Sequence, residues 1–194
     1  MLTRKYIGKF NAVTLSHQLM REQIRPGQTV VDATCGNGHD TAFLAKEVTA
    51  TGQVWAFDIQ NAACDITKER IKNLGFHHVK VIHDGHENVG EYLSRTIDGA
   101  VFNLGYLPSS NSQVITTPKT TKKAICTLLD GLNPSGFICI TAYVSHPGGR
   151  REYRALKRMF GRKSLHQCQI TVFDEARRKN SAPKVLFIQK QVDF

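Results

Sequence analysis

The chain has 194 residues, 41% of them apolar and 22% charged, a balance that fits one globular domain whose core needs neither disulfides nor a structural metal. No run approaches the roughly 20 apolar residues of a membrane span, Met1 to Phe10 lacks a signal-peptide run, and five cysteines with no C-x-x-C pair argue against a disulfide framework and for a reducing, cytoplasmic setting. The formal charge of +10 is concentrated, since Arg150 to Lys190 holds twelve basic residues against three acids; such a face suits a polyanion, although a solvated, solubilising face has the same composition.

Asn11 to Arg25 reads as an amphipathic helix, with Val13, Leu15, Leu19 and Ile24 apolar, so residues 1–26 are expected to form a helical extension beside a single domain over 1–194. Three short apolar runs then each end at an acid, T-V-V-D at Asp32, Q-V-W-A-F-D at Asp58 and V-K-V-I-H-D at Asp84, and each is followed by a helical pattern. Runs too short for helices, separated by amphipathic segments, predict a parallel sheet covered on both faces. Two further strands are expected at 99–104 and 136–142, flanking a helix from Thr117 to Gly131 with Pro118 in its first turn. A basic helix from Gly149 to Phe160 follows. His166 to Phe173 and Val185 to Gln189 then read as two strands without an intervening helix, which suits an antiparallel closure of the sheet.

The first strand leads into D-A-T-C-G-N-G-H-D-T and the helix Thr41 to Val48. Glycines at a strand-to-helix turn let backbone approach a ligand, and the helix start offers free N–H groups at the carboxyl edge of the sheet; a tight turn needs the same residues. Asp58 lies twenty residues after Gly38 at a strand end, where an acid can accept from both ribose hydroxyls. The third glycine of a dinucleotide fingerprint would fall on Thr41, whereas an acid at Asp32 suits the amino group of a methionine moiety. S-adenosylmethionine therefore fits better than NAD. Asp84 can accept from an adenine amino group or cap a helix.

The fourth strand ends in F-N-L-G-Y-L-P, which places Asn103 at the same edge, where its side-chain carbonyl can direct an amine at an electrophile. Tyr106 is a candidate pocket wall, and the polar segment Pro108 to Thr117 a candidate lid. His146, in S-H-P-G-G, is a candidate for proton removal or phosphate contact. No zinc pattern occurs among the eight histidines, and no metal is expected.

Together, D-A-T-C-G-N-G-H-D-T-A-F-L-A, A-F-D-I-Q, H-D-G-H-E, F-N-L-G-Y-L-P, I-T-T-P and S-H-P-G-G resemble the rRNA methylase family of small bacterial methyltransferases. That family includes the tRNA 5-aminomethyl-2-thiouridine methyltransferases, and the likeness runs from about residue 11 to residue 190. The resemblance implies a Rossmann-like class I α/β fold with seven strands, mostly parallel and the last antiparallel, with S-adenosylmethionine as methyl donor. Carried onto this chain, the cofactor loop falls on Asp32, Ala33, Gly36, Asn37, Gly38 and Asp40, the ribose acid on Asp58 with Gln60 beside it, the adenine region on Asp84 and His86, and the reactive edge on Asn103, Leu104 and Tyr106.

The implied reaction is N-methylation of a 5-aminomethyl group on the tRNA wobble uridine. Asn103, Tyr106 and His146 would serve the chemistry, and Arg150, Arg151, Arg154, Arg158, Arg177 and Arg178 would hold the anticodon stem-loop. Where the family carries glycines this chain has Ser109, Ser110 and Ser145, and of its C-terminal Asn-Gln-Pro-Pro element only Asn180 and Pro183 remain. Methylation of rRNA or a small molecule, and RNA binding without catalysis, stay open as readings. So does the choice between a lone chain and a homodimer.

Overall fold

The computed structural model describes residues 2–6, 11–105, 116–145, 147–161, 167–175 and 181–191. Its eight-stranded sheet comprises β1 (Leu2–Tyr6), β2 (Thr29–Asp32), β3 (Gln53–Asp58), β4 (Val79–His83), β5 (Ile97–Leu104), β6 (Leu132–Ala142), β7 (Cys168–Glu175) and β8 (Lys184–Lys190), in the order β1-β7-β8-β6-β5-β2-β3-β4. Among the described strands, only β8 runs against its neighbours, β6 and β7. The seven strands expected from the sequence are therefore present with the last antiparallel, and β1 is an addition. It lengthens the edge by pairing parallel to β7, from Leu2 beside Thr171 to Tyr6 beside Glu175, so residues 1–26 supply a strand as well as the expected helix.

The helices are α1 (Ala12–Gln23), α2 (His39–Val48), α3 (Asn61–Asn73), α4 (Pro118–Asp130) and α5 (Gly149–Phe160), with a 3₁₀ helix over His86–Glu91. Period-two alternation divides the strands between two cores. Val30, Val101, Cys139, Val185 and Phe187 pack with Leu15, Met20, Leu44 and Val48 of α1 and α2, whereas Val31, Phe102, Ile138, Ile140, Leu186 and Ile188 pack with Ile125, Leu128, Leu156 and Met159 of α4 and α5. Thr117 caps α4 by accepting from Thr120 N at 3.3 Å, with Pro118 at the first helical position.

Close packing leaves Gly99 of β5 no room for a side chain, since an added Cβ would lie 2.4 Å from Cε1 of Phe137. Phe137 is itself buried and stacked on Phe187 at 5.6 Å. Gly99→Ala is expected to cost about 1–3 kcal/mol through overpacking, read as a melting temperature several degrees lower. An unchanged melting temperature would show that Phe137 yields.

The β2–α2–β3 crossover and the β5–α4–β6 crossover leave the sheet in opposite directions, so β2 and β5 flank a topological switch point. In such sheets the crevice at the carboxyl ends of the strands receives the ligand. Here those ends carry Asp32 and Asn103.

Candidate active site

A cavity of about 870 Å³ opens at this switch point, lined by Ala33, Thr34, Gly36, Asn37, Asp40, Asp58, Gln60, His86, Asn103 and Tyr143 among others. Gly36 and Gly38 hold the loop between β2 and α2 at φ of 50° and 75°, backbone that favours glycine. Asp58, at the end of β3, accepts from Gly36 N at 3.0 Å and Gln60 N at 2.9 Å. The acid thus braces the glycine loop and keeps further lone pairs for a ligand's hydroxyls.

Asp32, the acid expected to meet the methionine amino group, closes β2. It is fully buried, does not line the cavity, and accepts from Thr41 Oγ1 at 2.6 Å and Thr34 N at 3.2 Å. It ties the loop to the start of α2. Burial, reinforced by the Asp40 charge, pushes its carboxyl up to about 7. Such a group adds stability that is fully present below its unfolded value, 3.8, and is lost as pH rises through about 7. Asp32→Asn is expected to remove a loss of up to about 4 kcal/mol from the stability-versus-pH curve over that window, as urea unfolding at several pH values would show. Parallel curves for the two proteins would contradict it.

Asp40, 8% exposed, lines the cavity, as Asp58 does. Its Oδ2 accepts from Asn103 Nδ2 at 2.8 Å, and its Oδ1 meets Nε2 of His17 at 2.7 Å. A carboxylate offers only acceptors, so the Asn103 amide must turn its nitrogen to Asp40. Its Oδ1 is left buried without a partner among the described residues. His86 repeats the pattern, because Nδ1 lies 3.2 Å from the Ala33 carbonyl and must donate to it, while Nε2 has no partner among the described residues. Burial holds this imidazole below its ordinary pKa, so Nε2 is a lone pair. Two orphaned acceptors, joined by the carboxylates of Asp40 and Asp58, fit a ligand rich in N–H and O–H groups.

Asp84 also lies off the cavity lining. It accepts from Gly85 N at 2.7 Å, Asn88 Nδ2 at 3.0 Å and Tyr92 Oη at 2.9 Å. Burial alone would raise its pKa, but the Asn88, Tyr92 and Gly85 donors outweigh it and hold the carboxyl below its usual value. Gly85, His86 and Glu87 line the wall instead. Gly38 packs on Thr67 of α3, where an added Cβ would lie 3.0 Å from Oγ1, and Leu104 belongs to the core. Tyr106, His146, Arg177, Arg178 and the proposed lid up to residue 115 lie outside the described residues.

A second, open groove of about 640 Å³ adjoins the cavity and shares Ser145 and Pro147 with it. Arg150, Arg151, Arg154 and Arg158 line it, so four of the six arginines expected to meet RNA form one surface. Glu152, the acid in this basic helix, is buried and accepts from Thr121 Oγ1 at 2.6 Å and Thr116 Oγ1 at 2.8 Å. It locks α5 to α4 and leaves the arginine face positive. His17 is the residue that sequence reading missed, since nothing in α1 marks a histidine that will meet an acid 23 positions later.

Strand order and a cavity with carboxylates in its wall at the switch point define the class I methyltransferase architecture. A family model described as "Putative rRNA methylase" matches residues 54–189. The chloroplastic tRNA (mnm(5)s(2)U34)-methyltransferase of Arabidopsis thaliana is 34% identical over 161 residues, covering 77% of this chain and 59% of the relative. A Clostridium thermocellum structure carrying the rRNA-methylase description is 34% identical with a TM-score of 0.89, covering 95% of this chain and 100% of that one. A Streptococcus mutans methyltransferase structure, in complex with SAH, is 32% identical with a TM-score of 0.85, covering 94% and 99%. The chain belongs to the rRNA methylase family. It spans about three fifths of the curated plant relative. Among the described residues no helix is long and apolar enough to cross a membrane, and no group of three or more His, Cys, Asp or Glu side chains could hold a metal ion.

Proposed function

We propose that this protein N-methylates the 5-aminomethyl group of a (2-thio)uridine at the tRNA wobble position, using S-adenosylmethionine. The observation that carries the reading is the orphaned Oδ1 of Asn103, an acceptor fixed by Asp40 at the cavity wall. The donor-rich cofactor fits the acceptors present. Asp58 and Gln60 would hold its ribose hydroxyls, the loop Ala33 to Asn37 its main-chain end, Asp40 its ammonium group, and Gly85 to Glu87 its purine. When bound, the cofactor supplies a sulfonium methyl, an electrophilic carbon.

Asn103 acts by orientation. Its Oδ1 accepts one N–H of the substrate amine and so directs the nitrogen lone pair, which is catalysis by positioning. A free alkylamine has a pKa of roughly 10, and withdrawal from water into the cavity favours the neutral, nucleophilic form. Orientation and desolvation then act on the same nitrogen. His146 or water would take the released proton.

The arginine groove supports a polyanionic substrate, because its charge lies beside the cavity mouth rather than across the molecule. Replacing Arg151, Arg154 and Arg158 together by alanine is expected to weaken stem-loop binding by roughly 10- to 100-fold and to flatten its salt dependence. Affinity for S-adenosylhomocysteine should stay unchanged. Full methylation of the stem-loop by this triple variant, with wild-type affinity, would remove the arginine groove from substrate binding. The reaction is tested with an RNA stem-loop carrying 5-aminomethyluridine and a control carrying uridine. Methyl transfer to the first alone is expected; transfer to both, or to a base carbon, would overturn the reading.

A further inference from the structure

We infer that His17, on the N-terminal helix, is a positioning residue for methyl transfer: acting through Asp40, it holds Asn103 with its carbonyl oxygen free for the reacting nitrogen. The inference rests on the role given above to Asn103. It extends the site to an element outside the sheet and its crossovers.

The geometry is a chain of two hydrogen bonds. His17 Nε2 lies 2.7 Å from Asp40 Oδ1, and Asp40 Oδ2 accepts from Asn103 Nδ2 at 2.8 Å. Each oxygen of a nearly buried carboxylate is thereby matched to one donor, which is how such a charge is kept in place. The imidazole has little freedom. It stacks on Phe43 of α2 with ring centroids 4.0 Å apart and planes 7° from parallel. One turn along α1, Arg21 sits 5.2 Å from the Phe43 centroid and bonds Glu47 at 3.0 Å. Asn11 caps the helix by accepting from Thr14 N at 3.1 Å, and Leu15, Met20 and Ile24 are buried in the core.

Without the His17 bond, Asp40 loses the donor on Oδ1 and can turn its other oxygen away from Asn103. The amide is then free to rotate and present Nδ2, a donor, to a substrate that also brings donors. A correct amide therefore depends on a residue that touches neither cofactor nor substrate.

Sinefungin tests this without turnover, since it carries a charged amine in the place of the transferred methyl. Its affinity relative to S-adenosylhomocysteine reports how well an N–H donor is received there. By calorimetry the wild-type protein is expected to prefer sinefungin by roughly tenfold, the worth of one charge-assisted hydrogen bond. Asn103→Ala should abolish the preference and His17→Phe, which keeps a ring on Phe43, should lower it to the same level. His17→Gln, whose amide nitrogen can reach the position of imidazole Nε2, should restore it to within about threefold. Because both ligands carry the same ammonium group, their affinity ratio cancels any change in the grip of Asp40 on it, and an unchanged circular dichroism spectrum serves as the folding control. A full preference in His17→Phe overturns the inference and leaves Asn103 in place. A full preference in Asn103→Ala overturns both, and loss in His17→Phe that the donor of His17→Gln does not repair means that the hydrogen bond to Asp40 is not what sets the amide, and overturns the inference alone.

Discussion

Asp58→Ala is expected to weaken S-adenosylmethionine binding by roughly a hundredfold or more. Two charge-assisted hydrogen bonds to ribose hydroxyls are each worth about 1.5–3 kcal/mol, and every 1.4 kcal/mol is a factor of about ten in affinity. The variant also loses the brace on the glycine loop, because the same carboxylate accepts from Gly36 N at 3.0 Å and Gln60 N at 2.9 Å. Asp58→Asn keeps one acceptor oxygen and should fall between the two. Calorimetric titration with the cofactor checks both, and wild-type affinity in Asp58→Ala would remove the acid from the binding site.

Asn103→Ala should act on the other kinetic parameter. The amide orients a nucleophile and does not bear the cofactor's weight, so its removal is expected to lower kcat by roughly 100- to 1000-fold. Affinity for S-adenosylhomocysteine should change by less than about threefold. The contrast with Asp58 separates holding the donor from aiming the acceptor. Equal losses of cofactor affinity in the two variants would show that Asn103 grips the cofactor and would withdraw the positioning role.

The sheet was legible because its strands are short apolar runs ending at acids, with glycine just beyond the first, and that pattern has few other solutions in a chain of this length. Helix α4 was legible to within a residue, with Thr117 and Gly131 as its caps. Strand β1 was not: its five residues include adjacent cations, and it becomes a strand only because β7 leaves an edge open. Among the residues of the cavity wall, Asp58 and Asn103 could be placed by their position near strand ends and Gly36 by the loop that follows β2. The division of labour between Asp32 and Asp40 could not, since it depends on Thr41 turning back to bond Asp32, which buries one acid and leaves the other at the cavity. Asp84 reads as a ligand acid, and the donors that Asn88 and Tyr92 bring to it are not visible in the sequence.

The basic C-terminal third shows how composition and structure divide the work. Net charge announced a polyanion, but a charge run does not say where the anion lies. The helix period turns Glu152 inward and Arg151, Arg154 and Arg158 outward into a groove that shares Ser145 and Pro147 with the cavity, which is where we propose the anion lies. A phosphate backbone in that groove would run beside the cavity holding Asn103.

Nucleoside mass spectrometry of tRNA from a strain lacking this gene, before and after incubation with the purified protein and S-adenosylmethionine, tests the central claim most directly. The account predicts that an aminomethyluridine disappears as its singly N-methylated form appears, with fragmentation placing the new methyl on the exocyclic nitrogen. An aminomethyluridine that persists while the protein demonstrably binds the cofactor, or a methyl found on ring carbon or ribose oxygen, would contradict it.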